Sequence, residues 1–265
     1  MRIAILGADG RMGRSLVRAV VAAGPEAKLT AATERAGSAV IGQDAGVVAA
    51  GQALGVAIEA GVPATNAADV WIDFTVPGAT IAYTEAAIVA GASLVIGTTG
   101  LEPAQRAAIE RAAKKIPVVF AANYSIGINV MLKLIADAAQ TLGSSYDLEI
   151  VETHHRAKRD APSGTALRLA EALAEATGRD LATDARYERH GEIGPRTATE
   201  IGLQTLRGGD VVGDHTVHFL GAGDRLEITH RASSRDTFAV GAVRAALWLA
   251  GRPAGLYDMR SVLGL

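Results

Sequence analysis

Arg2-Ile3-Ala4-Ile5-Leu6-Gly7-Ala8-Asp9-Gly10-Arg11-Met12-Gly13 is the stretch whose reading decides the fold. An apolar, strand-like run from Arg2 to Leu6 leads into three glycines spaced G-x-x-G-x-x-G. A helical pattern, Met12 to Ala23, follows at once. Strand, glycine turn and helix in that order open a βαβ unit. Residues without a Cβ permit the tight turn and let a pyrophosphate approach the helix N-terminus, whose N–H groups favour an anion. A second strand pattern, Lys28 to Glu34, ends in an acid about twenty residues further on, where such an acid accepts a ribose hydroxyl. Arg35 follows and offers a guanidinium to a 2′-phosphate. The stretch therefore predicts a dinucleotide site that tolerates both NADH and NADPH. The alternative is a glycine turn beside a solvated charge pair. Asp9 is a misfit, since a carboxylate in a pyrophosphate loop repels the ligand unless it points outward. Arg11 and Arg14 are candidates to offset it, or else solvated helix-face charges.

Working outward, Val70 to Thr75, Ser93 to Gly97 and Val118 to Ala122 read as further strands, with helices at 79–90 and 103–115 between them. Alternating β and α units imply a Rossmann-like, doubly wound parallel sheet with helices on both faces. Gly97-Thr98-Thr99-Gly100 and Ala121-Ala122-Asn123-Tyr124-Ser125 follow strand ends of that sheet, where ligands bind and small residues let a nicotinamide ring lie close. Ordinary βα turns are the competing reading for each. The segment 37–68 is rich in Gly and Ala with poor periodicity, and reads as loop with short helical pieces.

After Asn123 the pattern changes. A helix over 129–142 leads to a strand ending near Thr153. Three β-rich runs, 199–207, 215–220 and 225–232, are separated by Gly208-Gly209 and Gly221-Ala222-Gly223. Consecutive strands with short turns predict an α+β domain with a mostly antiparallel sheet. The expected division is a dinucleotide-binding domain over 1–125, to which 236–265 returns, and a substrate-binding and oligomerisation domain over 126–235.

Composition narrows the classes. The 265 residues are 49% hydrophobic, 20% charged and 4% aromatic, an α/β balance. A net charge of -2 gives no electrostatic footprint for nucleic acid. The absence of cysteine removes disulfides, thiol nucleophiles and cysteine metal sites. No apolar run is long enough to span a bilayer, and no signal peptide is evident, so a cytoplasmic protein is expected.

The chemistry concentrates in Val151-Glu152-Thr153-His154-His155-Arg156-Ala157-Lys158-Arg159-Asp160-Ala161-Pro162-Ser163-Gly164-Thr165-Ala166. Two imidazoles and an ammonium follow a strand, and a Pro-Ser-Gly-Thr turn then opens a helix. A proton donor, a cation and a helix N-terminus converge, which suits protonation of a small anionic substrate. A metal reading needs further ligands that no cysteine or H-E-x-x-H pattern supplies. His190, His215, His218 and His230 are scattered and read as structural or surface residues.

The stretch E-T-H-H-R-A-K-R-D-A-P-S-G-T-A resembles the signature of the 4-hydroxy-tetrahydrodipicolinate (dihydrodipicolinate) reductases of lysine and diaminopimelate biosynthesis. G-A-D-G-R-M-G, G-T-T-G, A-A-N-Y-S-I-G, L-R-G-G-D-V-V-G-D-H and S-R-D-T-F-A-V-G-A resemble that family in the same order. The resemblance implies an NAD(P)H-dependent oxidoreductase acting on a cyclic imine dicarboxylate. It implies His154 as the acid that protonates the ring after hydride arrives, and Lys158 as the second catalytic residue. His155 would contact substrate, and Ser163, Gly164 and Thr165 would hold a carboxylate. On the cofactor side it implies Gly7, Ala8, Asp9, Gly10, Arg11, Met12, Glu34, Arg35, Gly97, Thr98, Thr99, Ala121, Ala122, Asn123 and Tyr124, with no metal. The family often has Phe where Tyr124 stands. It is usually homotetrameric through the second domain's sheet, and closure between domains is expected. The competing functions are another two-domain NAD(P) oxidoreductase of amino-acid metabolism, or a non-catalytic NAD(P)H-sensing regulator.

Overall fold

The computed structural model describes residues 1–265. In chain order the elements are β1 (Arg2–Leu6), α1 (Arg11–Ala22), β2 (Lys28–Glu34), α2 (Ala45–Ala50), β3 (Ile58–Ala60), β4 (Val70–Asp73), α3 (Pro77–Ala90), β5 (Ser93–Ile96), α4 (Pro103–Ala113) and β6 (Pro117–Phe120). There follow α5 (Ile126–Leu142), β7 (Asp147–His154), α6 (Gly164–Thr177), α7 (Leu181–Asp184), β8 (Ala185–Arg186), β9 (Ile201–Arg207), β10 (Gly213–Leu220) and β11 (Arg225–Ala232). The last three are α8 (Asp236–Trp248), β12 (Gly255–Tyr257) and α9 (Met259–Leu263). Two compact units result, Met1–Ile126 with Arg235–Leu265, and Gly127–Ser234.

The first unit holds a seven-stranded sheet in the order β12-β6-β5-β4-β1-β2-β3. Every pairing in it is parallel. Both faces are covered, so β1 and β4 are apolar without alternation and Ile3, Ile5, Leu6, Val70 and Ile72 are all buried. The strand order reverses between β1 and β4, and ligands bind at the carboxyl ends beside such a switch point. Asp73 ends β4 two residues before the expected Thr75. Its carboxylate takes the Thr75 N–H at 2.9 Å and the Thr75 hydroxyl, which bends the chain out of the sheet. The segment 37–68 contains α2 and β3, organised by Asp44. That one carboxylate accepts N–H bonds from Gly46, Val47, Leu54, Gly55 and Val56. Helix α8 contributes Ala239, Ala242, Val243, Ala245 and Ala246 to the core of this unit.

The second unit holds a five-stranded mixed sheet in the order β11-β10-β7-β9-β8. Strand β10 runs antiparallel to both β11 and β7. Strand β9 lies parallel to β7 and does not neighbour β10, so the turn at Gly208-Gly209 is a crossing and not a hairpin. Strand β7 alternates, with Leu148, Ile150, Glu152 and His154 buried on one face. Helices α5 and α6 pack on that face through Ile128, Met131, Ile135, Leu169 and Leu173. Helix α6 starts at a Ser163 cap and stops at Gly178, whose left-handed φ of 69° ends the helix without strain.

Candidate active site

In the first unit the glycine turn is shaped by close approaches. A Cβ on Gly13 would lie 2.0 Å from the Gly7 carbonyl oxygen, and Gly7 itself has φ of 70°. The Gly7 and Ala8 N–H groups both donate to the Thr33 carbonyl at the end of β2, which ties the turn to the sheet. Gly10, at the mouth of α1, offers no side-chain cap, so the first-turn N–H groups are left to an anion. Glu34 accepts the N–H of Asp9 at 3.2 Å and of Arg35 at 3.0 Å, and so stands beside the turn with lone pairs left for hydroxyls. The Asp9 misfit is resolved by Arg14, whose guanidinium lies 2.6 Å from the Asp9 carboxylate and neutralises it. Arg11 and Arg35 are exposed and Met12 is half-buried. Turn, helix mouth and ribose acceptor together fit a dinucleotide.

The other loops are joined to this turn from beneath. A Cβ on Gly7 would meet the Thr75 methyl at 2.7 Å. Thr75 and Thr80 both donate to Asp73, and the Thr80 hydroxyl lies 2.9 Å from that of Thr98. Burial raises the Asp73 carboxyl above its ordinary value despite these hydroxyls. Gly97 presses on the Phe74 ring, which packs 5.2 Å from the Tyr124 ring. Thr98 and Tyr124 are buried, whereas Thr99 and Ala122 are exposed; Ala121 and Asn123 are half-buried. The Tyr124 hydroxyl reaches the carbonyls of Ile96 and Val119, at the ends of β5 and β6. Sequence reasoning missed Asp73, which sits inside a strand pattern. Its signal was a lone acid in an otherwise apolar run.

In the second unit, strand register builds the reactive cluster. Glu152 lies opposite His215 of β10 on one side and Thr205 of β9 on the other; His154 lies opposite Arg207. The His154 Nδ1 makes a very short contact with Glu152 Oε2. The Arg207 guanidinium grips the same carboxylate with two N–H groups, at 3.1 Å to Oε2 and 2.9 Å to Oε1. Oε1 also takes the Ser163 N–H at 3.1 Å and the Thr205 hydroxyl at 3.2 Å. Burial alone would raise this carboxyl. The hydrogen bonds from His154 and Arg207 outweigh it and hold Glu152 at about 2, against an ordinary 4.5.

His215, read from the sequence as a structural or surface histidine, is a buried member of this cluster. Its ring centroid is 5.2 Å from that of His154, and its Nε2 lies 3.2 Å from the Ser163 hydroxyl. Burial, and then the neighbouring His154, lower it to about 4 from 6.5, so it sits neutral. Ser163 Oγ also accepts the Ala166 N–H. Its hydroxyl is thereby engaged on both sides, and the accessible members of the turn are Gly164 and Thr165. His155 and Lys158 are half-buried. Lys158 Nζ lies 2.9 Å from the Asp160 carboxylate, which it holds below its ordinary value. Of the remaining histidines, His190 is exposed and His218 lies 3.3 Å from Glu227.

Glu152, His154 and His215 are close enough to be weighed as a cation site. The carboxylate is already committed to Arg207, Ser163, Thr205 and His154, and a guanidinium beside it opposes a second cation. The donor set suits proton handling. Sequence reasoning missed Glu152; the signal that could have found it is its place two residues before His154, hence on the same buried strand face. Arg207 and His215 carried no local signal.

Residues 1–124 match the family model "Dihydrodipicolinate reductase, N-terminus", and residues 127–263 match "Dihydrodipicolinate reductase, C-terminus". The chain is 56% identical over 265 residues to the 4-hydroxy-tetrahydrodipicolinate reductase of Pseudomonas fluorescens (strain SBW25), covering 100% of this chain and 99% of that one. It is 54% identical to the reductase of the same name from Anaeromyxobacter dehalogenans (strain 2CP-1), covering 100% of this chain and 98% of that one. In fold it resembles a dipicolinate-bound dihydrodipicolinate reductase from Paenisporosarcina sp. TG-14, with a TM-score of 0.75, 23% identity and 98% of each chain covered. Both units, their order and the full length are therefore accounted for, and the chain belongs to the dihydrodipicolinate reductase family.

Proposed function

We propose that this chain reduces 4-hydroxy-tetrahydrodipicolinate to tetrahydrodipicolinate with NADH or NADPH, within lysine and diaminopimelate biosynthesis. The observation that carries the mechanism is the buried Glu152–His154 pair beside the capped mouth of α6. The cofactor, when bound, supplies a hydride to the unsaturated ring. The glycine turn Gly7–Met12 would hold its pyrophosphate, Glu34 its ribose and Arg35 a 2′-phosphate, with the Gly97–Thr99 and Ala121–Tyr124 loops lining the sheet's carboxyl end. The N-terminal unit is thus the dinucleotide-binding domain, and residues 126–235 form the domain that binds substrate.

His154 is the acid. Its Nδ1–H is taken by Glu152, so the proton that leaves is the one on Nε2. A Cβ on Gly213 would come within 2.9 Å of that nitrogen, so glycine there leaves room for a substrate. Delivery of the Nε2 proton completes the reduction and leaves a neutral imidazole on Glu152. Lys158 supports the transfer and holds one carboxylate. Its exposed partner Asp160 binds it only weakly, so the ammonium is free to turn to substrate. His155 contacts substrate. Gly164 and Thr165 meet the other carboxylate at the helix N-terminus, while Ser163 caps the helix. We infer a cytoplasmic homotetramer joined through the second sheet, where Leu206 stands exposed on the face opposite α5 and α6.

The test is cofactor oxidation on addition of substrate. His154→Gln is expected to bind NADH as the native chain does and to turn over roughly a hundredfold or more slowly, the usual scale for a lost general acid. Native turnover by the variant overturns the role of His154. No oxidation by the native chain overturns the reaction itself.

A further inference from the structure

We propose that Glu152 is a positioning residue that fixes the tautomer of the catalytic acid, with Arg207 as the clamp that makes the carboxylate irreplaceable by its amide. The inference rests on the reading of His154 as the acid.

Both oxygens of the Glu152 carboxylate are fully engaged. Oε1 receives three donors: the Ser163 N–H, the Thr205 hydroxyl and one Arg207 N–H. Oε2 receives the His154 Nδ1–H and the other Arg207 N–H. All five contacts ask the carboxylate to accept. A carboxylate can do this, since it has two acceptor oxygens and no proton. The imidazole is therefore forced to carry hydrogen on Nδ1, and Nε2 is the only nitrogen that can exchange a proton with a ligand. The same side chain ties the acid to the Ser163 turn that opens α6. One group thus sets the spacing between proton donor and carboxylate anchor.

Glutamine at this position has one acceptor and one donor. Its oxygen would settle at the Oε1 place, where three donors converge. Its NH2 would then face the Arg207 N–H, which it cannot satisfy, and His154 Nδ1, to which it would donate. The neutral ring would be pushed to the Nε2–H form. After proton transfer the native ring must hold hydrogen on Nδ1, and the amide opposes that. The Ser163 contact survives, so substrate anchoring changes little. The expected signature is a fall in kcat with KM nearly unchanged.

The experiment uses the full chain labelled with 15N in histidine, without substrate, and reads the His154 ring nitrogens as the neutral form appears. The resonance is assigned by its loss in His154→Gln. The native chain is expected to show Nδ1–H, and Glu152→Gln to show Nε2–H. In the same variant kcat is expected to fall by roughly two to four orders of magnitude, the upper end being the loss from a wrong tautomer in a related carboxylate–imidazole pair, with NADH affinity unchanged. Glu152→Asp keeps an acceptor-only group, so it should keep the native tautomer and recover part of the rate. An Nε2–H ring in the native chain overturns the proposal, even if Glu152→Gln fails to fold. An unchanged tautomer in Glu152→Gln overturns it whatever the turnover. Because the tautomer is read without substrate, a native chain that reduced nothing would sink the reaction and leave this result to stand or fall separately.

Discussion

Replacing His215 by Gln should flatten the acid dependence of stability in the second unit. His215 is buried and held neutral, at about 4 against an ordinary 6.5. The unfolded chain therefore binds a proton that the folded chain refuses between those two values. Stability rises with pH through that window, is fully present above 6.5, and is lost as pH falls toward 4. At ~1.4 kcal/mol per unit the full difference is about 3 kcal/mol, of which about 2 is gone by roughly pH 5. Glu152 adds a second loss, but only below 4.5, as pH falls toward about 2. Its window lies beneath the one to be measured. Urea unfolding followed by far-UV circular dichroism, from neutral pH down to about pH 5, would read the slope. Tryptophan emission would not, because Trp71 and Trp248 both lie in the first unit. The native chain should lose about 2 kcal/mol more over this range than the variant. Parallel curves for the two proteins would refute a buried neutral imidazole at this position.

Two further substitutions probe the first unit. Gly13→Ala places a Cβ 2.0 Å from the Gly7 carbonyl oxygen and 2.8 Å from Ala8 backbone atoms, none of which can rotate away. It should destabilise by about 1–3 kcal/mol, the range for overpacking. It should also weaken NADH binding roughly tenfold or more, whereas native affinity in a fluorescence titration would contradict the assignment of the turn. Tyr124→Phe removes a buried hydroxyl whose partners are the Ile96 and Val119 carbonyls. It should lower stability by about 1 kcal/mol and leave NADH affinity unchanged in the same titration.

The first unit was largely legible because its signals are local. Strands β1 and β2 begin and end where the apolar runs do, and the turn between Leu6 and Arg11 is written in glycine. What escaped was short or buried under a different pattern. Strands β3 and β12 have three residues each, too few for any period to show. Asp44 organises 37–68 through contacts up to twelve residues away, which no windowed reading detects. In the second unit, the runs of β9 and β10 were visible but their neighbours were not. A short connection ordinarily means a hairpin, yet β7 lies between them. That insertion is what carries Thr205 and Arg207 to one side of Glu152 and His154 and His215 to the other. The acid and the anion turn could be read from one stretch of chain. The groups that hold the acid in place come from strands fifty or more residues further on, and only register unites them.

The return of α8 to the first unit bears on how the protein comes off the ribosome. Strands β1 to β6 emerge early, but Ala239, Ala242, Val243 and Ala246, which complete their core, are translated more than a hundred residues later. The second unit is continuous in sequence and needs nothing made after it. Vectorial synthesis should therefore let the later-encoded module mature first, while the nascent parallel sheet waits, partly uncovered, for its final helix.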